Sequence, residues 1–152
     1  MFDHIKNILI VKPSALGDIV HSLPFLAAVR RKFPQARIDW VVAHGLHRFL
    51  EDHSMINRLL IIKKDQWKDP GRLRKTVQEV IELKKRLAGG RYDVCIDLSG
   101  LLRSGLISWA SKAPMRIGFQ ESDEGSPYFY SHKVHGSMEI HAIDRYLEIA
   151  KF

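Results

Sequence analysis

Short apolar segments alternate with amphipathic ones along most of this 152-residue chain. Residues 7–12 form an unbroken aliphatic run, as expected for a strand covered on both faces. Similar runs predict four more strands, at residues 37–42, 58–62, 92–98 and 116–119. Helical spacing of apolar side chains predicts the intervening helices, at about residues 19–32, 70–90 and 101–111. Such alternation requires crossover connections, so we expect an α/β fold, a Rossmann-like parallel sheet with helices on both faces.

Ligands of such sheets bind beyond the carboxyl ends of the strands, where residues 13–18 and 99–103 are expected. Pro24 lacks a backbone N–H, so the first helix must kink there or restart with Pro24 in its first turn. Residues 137–152 have the pattern of a further amphipathic helix. No stop signal follows Phe152, so we expect the chain to be the first half of a longer protein, or this helix to pack down and fray.

The composition, 45% hydrophobic and 27% charged, is typical of one globular domain and excludes disorder and coiled coils. No apolar run approaches the roughly 20 residues of a membrane span, and the N-terminus lacks a signal-peptide layout. We therefore expect a cytoplasmic protein. The single cysteine, Cys95, lies in an apolar stretch, so we expect a buried thiol without a redox role.

The chain carries a formal net charge of +7, which favours an anionic partner such as a phosphate, a nucleic acid or a membrane surface. Much of the excess lies in residues 58–75, which contain seven basic and two acidic side chains. This basic segment is therefore the first place to look for anion-binding residues.

The turn after the first strand carries one glycine where a dinucleotide fingerprint needs three, and no Gly-rich run precedes a Lys-Ser or Lys-Thr pair. Dinucleotide binding and nucleoside triphosphate hydrolysis are therefore not expected. The turn does supply a carboxylate, Asp18. An ionised carboxylate there can take a proton from a hydroxyl that attacks a sugar carbon. By spacing alone, a helix cap is the favoured interpretation of Asp18.

Histidines and tryptophans point to no further site. His44 and His47 have no Cys or carboxylate at ligand spacing, and on a strand they would face opposite ways, so no metal is expected. Trp40 and Trp109 do not alternate with basic residues as in single-strand binders, and we expect them to pack in the core or against a helix.

Several motifs follow one another along nearly the whole chain. They are SALGDIVHSLP at residues 14–24, IDWVV at 38–42, YDVCIDLSGLLRS at 92–104, FYSHKV at 129–134 and HAIDRY at 141–146. Together they resemble the motifs of the bacterial lipopolysaccharide heptosyltransferases, glycosyltransferase family nine, and especially the type I enzymes. The sequence departs from that pattern at residues 121–125, where related enzymes often show an Arg-Glu pair and this chain has no arginine.

The resemblance implies a GT-B enzyme in which residues 1–152 are the acceptor-binding N-terminal domain. A C-terminal domain, absent from this chain, would bind the donor ADP-heptose. The implied reaction is inverting transfer of heptose from ADP-L-glycero-D-manno-heptose to the Kdo sugars of the lipid A core, with Asp18 as catalytic base. The implied partners are the anionic Kdo-lipid A acceptor and the cytoplasmic face of the inner membrane, with no cofactor, metal or nucleic acid bound by this domain.

Candidate substrate-binding residues come from three places. The opening motif contributes Ser14, Ala15, Gly17 and His21. The loop after the third strand contributes Lys63, Lys64, Lys68 and Arg72, because Lys and Arg bind carboxylates and phosphates by charge-assisted hydrogen bonds. The family has a comparable basic loop with a tryptophan, here Trp67. Arg103 follows the fourth strand and is a candidate too, or else a surface helix residue.

Other interpretations stay open at this point. Arg74, Lys75, Lys84 and Lys85 are expected on a solvated face of the long helix. The positive charge also fits a non-catalytic module that binds nucleic acid or another anion. A family-nine transferase that uses another nucleotide sugar is equally compatible, since donor recognition would belong to the other domain.

Overall fold

The computed structural model describes residues 4–63, 71, 73–121 and 125–135. Its strands are β1 (Asn7–Val11), β2 (Arg37–Ala43), β3 (Arg58–Ile62), β4 (Val94–Asp97), β5 (Met115–Phe119) and β6 (His132–Val134). Its α-helices are α1 (Leu16–His21), α2 (Leu23–Lys32), α3 (Leu73–Gly89) and α4 (Leu102–Ala110). Short 3₁₀ helices lie at Leu46–Phe49 and Ser126–Phe129. The predicted helix at 137–152 lies outside the described residues.

The strands form one parallel sheet in the order β3-β2-β1-β4-β5-β6. The predicted α/β class, a Rossmann-like parallel sheet with helices, is therefore confirmed. Strands β1 and β4 lie side by side in its centre, so the segments that leave their carboxyl ends are neighbours. Strand β6 was not predicted, because three residues of mixed polarity carry too weak a pattern to be recognised.

The helices cover both faces of the sheet because side chains of a strand alternate in direction. On one face, Ile8 and Ile10 of β1 pack in a core with Phe25 and Leu26 of α2. On the other face, β1 side chains pack in a second core whose helical members are Leu83, Leu87 and Ile107. The loops at the carboxyl edge therefore stand on a rigid, double-layered base.

The first helical region is broken at Ser22, which settles the question that Pro24 raised. The Ser22 hydroxyl donates to the Ile19 carbonyl at 2.6 Å, and α1 ends there. A new helix, α2, then begins with Pro24 in its first turn, where a missing N–H costs nothing. The helix restarts rather than kinks, so α1 is a separate short element behind the β1 loop.

A buried polar network links two of the motifs near the amino-terminal edge. The Tyr92 hydroxyl donates to Asp39 Oδ2 at 2.6 Å, and Arg58 Nη2 donates to the same oxygen at 3.1 Å. Burial and the hydrogen bond to Asp39 raise the pKa of Tyr92 to about 12. Arg58 is therefore held by the fold and is not part of an anion-binding loop.

The described helices include none with the length and apolar character needed to cross a membrane.

Candidate functional site

The loop after β1 is anchored by β2. The Trp40 indole N–H donates to the Lys12 carbonyl at 3.1 Å, and the Ala43 N–H donates to the Pro13 carbonyl at 2.9 Å. Trp40 is fully buried, as expected from the sequence, so its indole is a fixed support. These bonds hold the first two residues of the loop in place, and α1 starts four residues after Lys12.

Asp18 is the third residue of α1 and turns its carboxylate back to the loop. Its Oδ2 accepts a hydrogen bond from the Ala15 N–H at 3.3 Å. The side chain is 49% exposed, which leaves room for a second partner from solvent. The structure thus confirms the helix-capping role and leaves the carboxylate accessible. The role of Asp18 as catalytic base stays a prediction.

Lys12 stands beside Asp18 and was missed in the sequence analysis. Its Nζ lies 4.0 Å from Asp18 Oδ2, although the lysine side chain is only 7% exposed. A nearly buried ammonium group fixes a positive charge next to the accessible carboxylate. The available signal was a lysine at the end of an otherwise aliphatic run, which we interpreted as the last residue of the strand.

The other residues of the opening motif surround Asp18 because they are its neighbours in the chain. Ala15 and Gly17 are exposed, and Ser14 and His21 are half-buried. Their positions agree with a substrate-facing loop at the carboxyl edge of β1. Whether each contacts a substrate stays a prediction.

The basic loop is described only at its start. Lys63 is exposed and directly follows β3, at the same edge of the sheet as Asp18 but separated from β1 by β2. It lines a small hollow with Glu79, Glu82 and Arg86 of α3. The remaining candidates, Lys64, Lys68 and Arg72, and also Trp67, lie outside the described residues. The expected exposure of Arg74, Lys75, Lys84 and Lys85 on α3 is confirmed.

The turn after β4 is held by a buried carboxylate, Asp97. Its Oδ1 accepts hydrogen bonds from the N–H groups of Ser99 at 2.8 Å and Gly100 at 3.2 Å, and Gly100 has a left-handed φ of 69°. Its Oδ2 accepts a hydrogen bond from the Tyr130 hydroxyl. Burial raises the pKa of Asp97, against the effect of these donors.

The turn that Asp97 holds lies next to the Asp18 loop, because the Leu98 N–H donates to the Val11 carbonyl at 3.0 Å. Two pairs of motif residues, Asp39 with Tyr92 and Asp97 with Tyr130, thus join distant segments through buried hydrogen bonds. Their geometry supports the site rather than supplying its chemistry.

Arg103 lies in the first turn of α4 and is half-buried. It lines the groove between α3 and α4. The structure supports the interpretation of Arg103 as a helix residue. Contact between Arg103 and the acceptor stays a prediction.

The histidine pair differs from our expectation in its geometry. His44 follows β2 and His47 belongs to a 3₁₀ helix, so they are not on a strand, and their ring centroids lie 5.2 Å apart. Across the described ranges, no group of three or more His, Cys, Asp or Glu side chains could hold a metal ion.

Comparisons with known proteins agree with the motifs. The family model described as "Glycosyltransferase family 9 (heptosyltransferase)" matches residues 80–151. Lipopolysaccharide heptosyltransferase 1 of Salmonella typhimurium is 27% identical over 94% of this chain and 46% of its own length. The protein of the same name from Pseudomonas aeruginosa is 31% identical over 91% of this chain and 40% of its own length.

A solved structure shows the same fold. Escherichia coli heptosyltransferase WaaC with ADP-2-deoxy-2-fluoro heptose superposes with a TM-score of 0.85 and 27% identity, over 95% of this chain and 47% of WaaC. The chain thus spans about half the length of the curated relatives it matches. Motifs, sequence relatives and fold lead to one conclusion: the chain is a homologue of the glycosyltransferase family 9 heptosyltransferases, related to them over about half of their length.

Proposed function

We propose that this chain is the acceptor-binding N-terminal half of an inverting heptosyltransferase of the lipopolysaccharide core, with Asp18 as the catalytic base. The observation that carries the proposal is the Asp18 carboxylate, which is fixed by the Ala15 N–H, flanked by Lys12 and still half-exposed at the carboxyl edge of the sheet. Ligands of parallel α/β sheets bind at this edge.

The proposed reaction needs one base on this half of the enzyme. Asp18 takes the proton of an acceptor hydroxyl while that oxygen attacks the anomeric carbon of the heptose. A new carbon–oxygen bond forms as the bond to the diphosphate breaks, and ADP leaves with the electron pair. Attack from the face opposite the diphosphate inverts the anomeric centre. Lys12 keeps the base in position and balances its charge before and during the transfer.

The two substrates would bind to different halves. ADP-heptose would occupy a C-terminal domain that these 152 residues do not include, and that domain would stabilise the leaving diphosphate. The Kdo-lipid A acceptor would bind the loop at residues 14–21 and the basic loop from Lys63 to Arg72. In this arrangement the enzyme works at the cytoplasmic face of the inner membrane, where it binds peripherally.

An NMR titration of this chain tests the division between halves. A deacylated, Kdo-bearing lipid A core fragment is expected to shift the amide signals of residues 14–21 and of Lys63. ADP-heptose is expected to leave them unchanged. A random oligonucleotide serves as the third ligand, because a nucleic-acid module would respond to it in a salt-dependent way. Binding of ADP-heptose or the oligonucleotide at these residues, or no response to the core fragment, would contradict the proposal.

Substitution of Asp18 tests the base. In a version of the protein extended to the length of its relatives, we expect Asp18→Asn to lower heptose transfer by about 10²–10⁴-fold, the usual contribution of a general base. The core fragment should still bind, because the amide keeps the shape of the carboxylate. Asp52→Asn is the matched control, since Asp52 is an exposed carboxylate in the segment between β2 and β3. Wild-type turnover by Asp18→Asn would remove Asp18 from the mechanism.

A further inference from the structure

The helices α3 and α4 enclose an apolar groove on the face of the sheet opposite α2. The groove has a volume of about 430 Å³. Its apolar wall includes Val80 of α3 and Leu106 and Trp109 of α4. Trp109 is 56% exposed and Leu106 46%. Of the two expected positions of Trp109, in the core or against a helix, the core position is therefore wrong. An exposed tryptophan beside exposed aliphatic side chains is costly in water and marks a contact surface.

The two sides of α3 differ in charge. On the groove side, the charged side chains among the described lining residues are Lys84 and Arg103, both basic. On the other side of α3, next to β3, the hollow has mixed charge, since Glu79 and Glu82 lie there with Lys63 and Arg86. The groove therefore combines an apolar floor with a positive rim, and a complementary partner is apolar inside and negative at its surface.

We propose that this groove surface, formed by Val80, Lys84, Arg103, Leu106 and Trp109, binds an anionic lipid bilayer. Aliphatic side chains enter the boundary between headgroups and acyl chains, and tryptophan favours that depth because its ring is amphipathic. Lys84 and Arg103 contact lipid phosphates from the rim and add electrostatic attraction to the anionic surface.

The groove surface adjoins the proposed acceptor site. Helix α4 begins at the carboxyl edge of the sheet, directly after the turn that Asp97 holds. Leu101 and Leu102 are exposed there, so apolar surface continues from the groove to that edge. A membrane-anchored glycolipid could then present its headgroup to the Asp18 loop. The choice of a lipid bilayer as the partner rests on the proposed function, in which the enzyme binds peripherally to a membrane.

Vesicle partitioning of the whole chain tests this surface. The probe is phosphatidylcholine vesicles with about 30% phosphatidylglycerol, compared with pure phosphatidylcholine, at low and high salt. We expect the wild-type chain to float with the anionic vesicles and to be released by salt. Lys84→Gln and Arg103→Gln should each lower the partition coefficient roughly fivefold. The double variant Leu106→Ser/Trp109→Ser should lower it roughly tenfold or more.

Tyr128→Ser is the matched control, since Tyr128 is an aromatic side chain that is 89% exposed and does not line the groove. Far-UV circular dichroism and thermal unfolding show whether each variant is folded, and the charge variants remain informative if the apolar pair is not. Equal partitioning of wild type and groove variants, binding lost equally with Tyr128→Ser, or no vesicle binding at all would each overturn the inference.

The vesicle assay uses neither donor nor acceptor sugar, so its result is separate from the test of the proposed function. Vesicle binding through the groove without any response to the core fragment would refute the acceptor-site assignment alone. A response to the core fragment without vesicle binding would refute the groove surface alone.

Discussion

Removal of the Tyr130 hydroxyl tests how much its hydrogen bond to Asp97, beside the candidate site, stabilises the fold. In Tyr130→Phe the ring stays against Gly118, and only the hydrogen bond to the buried Asp97 carboxylate is lost. A hydrogen bond to a charged group contributes about 1.5–3 kcal/mol, and one between neutral groups about 0.5–1.5 kcal/mol. The loss is a large part of the roughly 5–15 kcal/mol by which a domain of this size is stable.

The cost of Tyr130→Phe should depend on pH. Burial raises the pKa of Asp97, so the folded protein holds this proton to a higher pH than the unfolded chain does. Asp97 therefore stabilises the fold most at acid pH, and that contribution is lost as the pH rises through the folded-state pKa. The Tyr130 hydroxyl opposes this loss because it stabilises the charged carboxylate. The variant should lose most stability above the folded-state pKa and least below it.

Urea unfolding followed by far-UV circular dichroism measures this difference, at the most alkaline and at the most acid pH where the wild type unfolds cooperatively. We expect a loss in free energy of unfolding of about 1.5–3 kcal/mol at the higher pH and roughly half of that at the lower. Tyr128→Phe, on an exposed ring two residues away, should change stability by less than about 0.5 kcal/mol at both. An equal loss for Tyr130→Phe at both pH values would refute the reasoning.

Two further predictions concern the interior of the protein. A Cβ on Gly118 would lie 2.2 Å from the Tyr130 ring, so Gly118→Ala should lower the free energy of urea unfolding by about 1–3 kcal/mol. Gly89→Ala is the control and should cost nothing, because the space around the new atom is open. A Gly118→Ala chain as stable as the wild type would contradict the contact. Burial raises the pKa of the Cys95 thiol to about 12, so a thiol reagent at neutral pH should label it only after denaturation, and rapid labelling of the folded chain would show that the sheet opens.

Local pattern predicted most of the fold and the centre of the site. Aliphatic runs and helical spacing are properties of neighbouring residues, so five strands and three helical regions were recognisable, and the first of these regions is divided at Ser22 into α1 and α2. The motif around Asp18 was recognisable because it resembles the opening motif of a known family. Strand β6 was missed because its backbone is ordered by pairing with β5, which its own short sequence does not indicate.

Tertiary structure decided which distant residues meet. Lys12 reaches Asp18 only because Trp40 and β2 fix the loop, and Asp97 meets Tyr130 across 33 positions of chain. Trp109 was expected to pack in the core or against a helix, yet it is exposed in the groove between α3 and α4. The sequence by itself thus determined the layers, which follow from local periodicity, and the position of the candidate base, which follows from a local motif. Its charge partner, its buried supports and the groove surface depend on contacts between segments that only the packed sheet brings together.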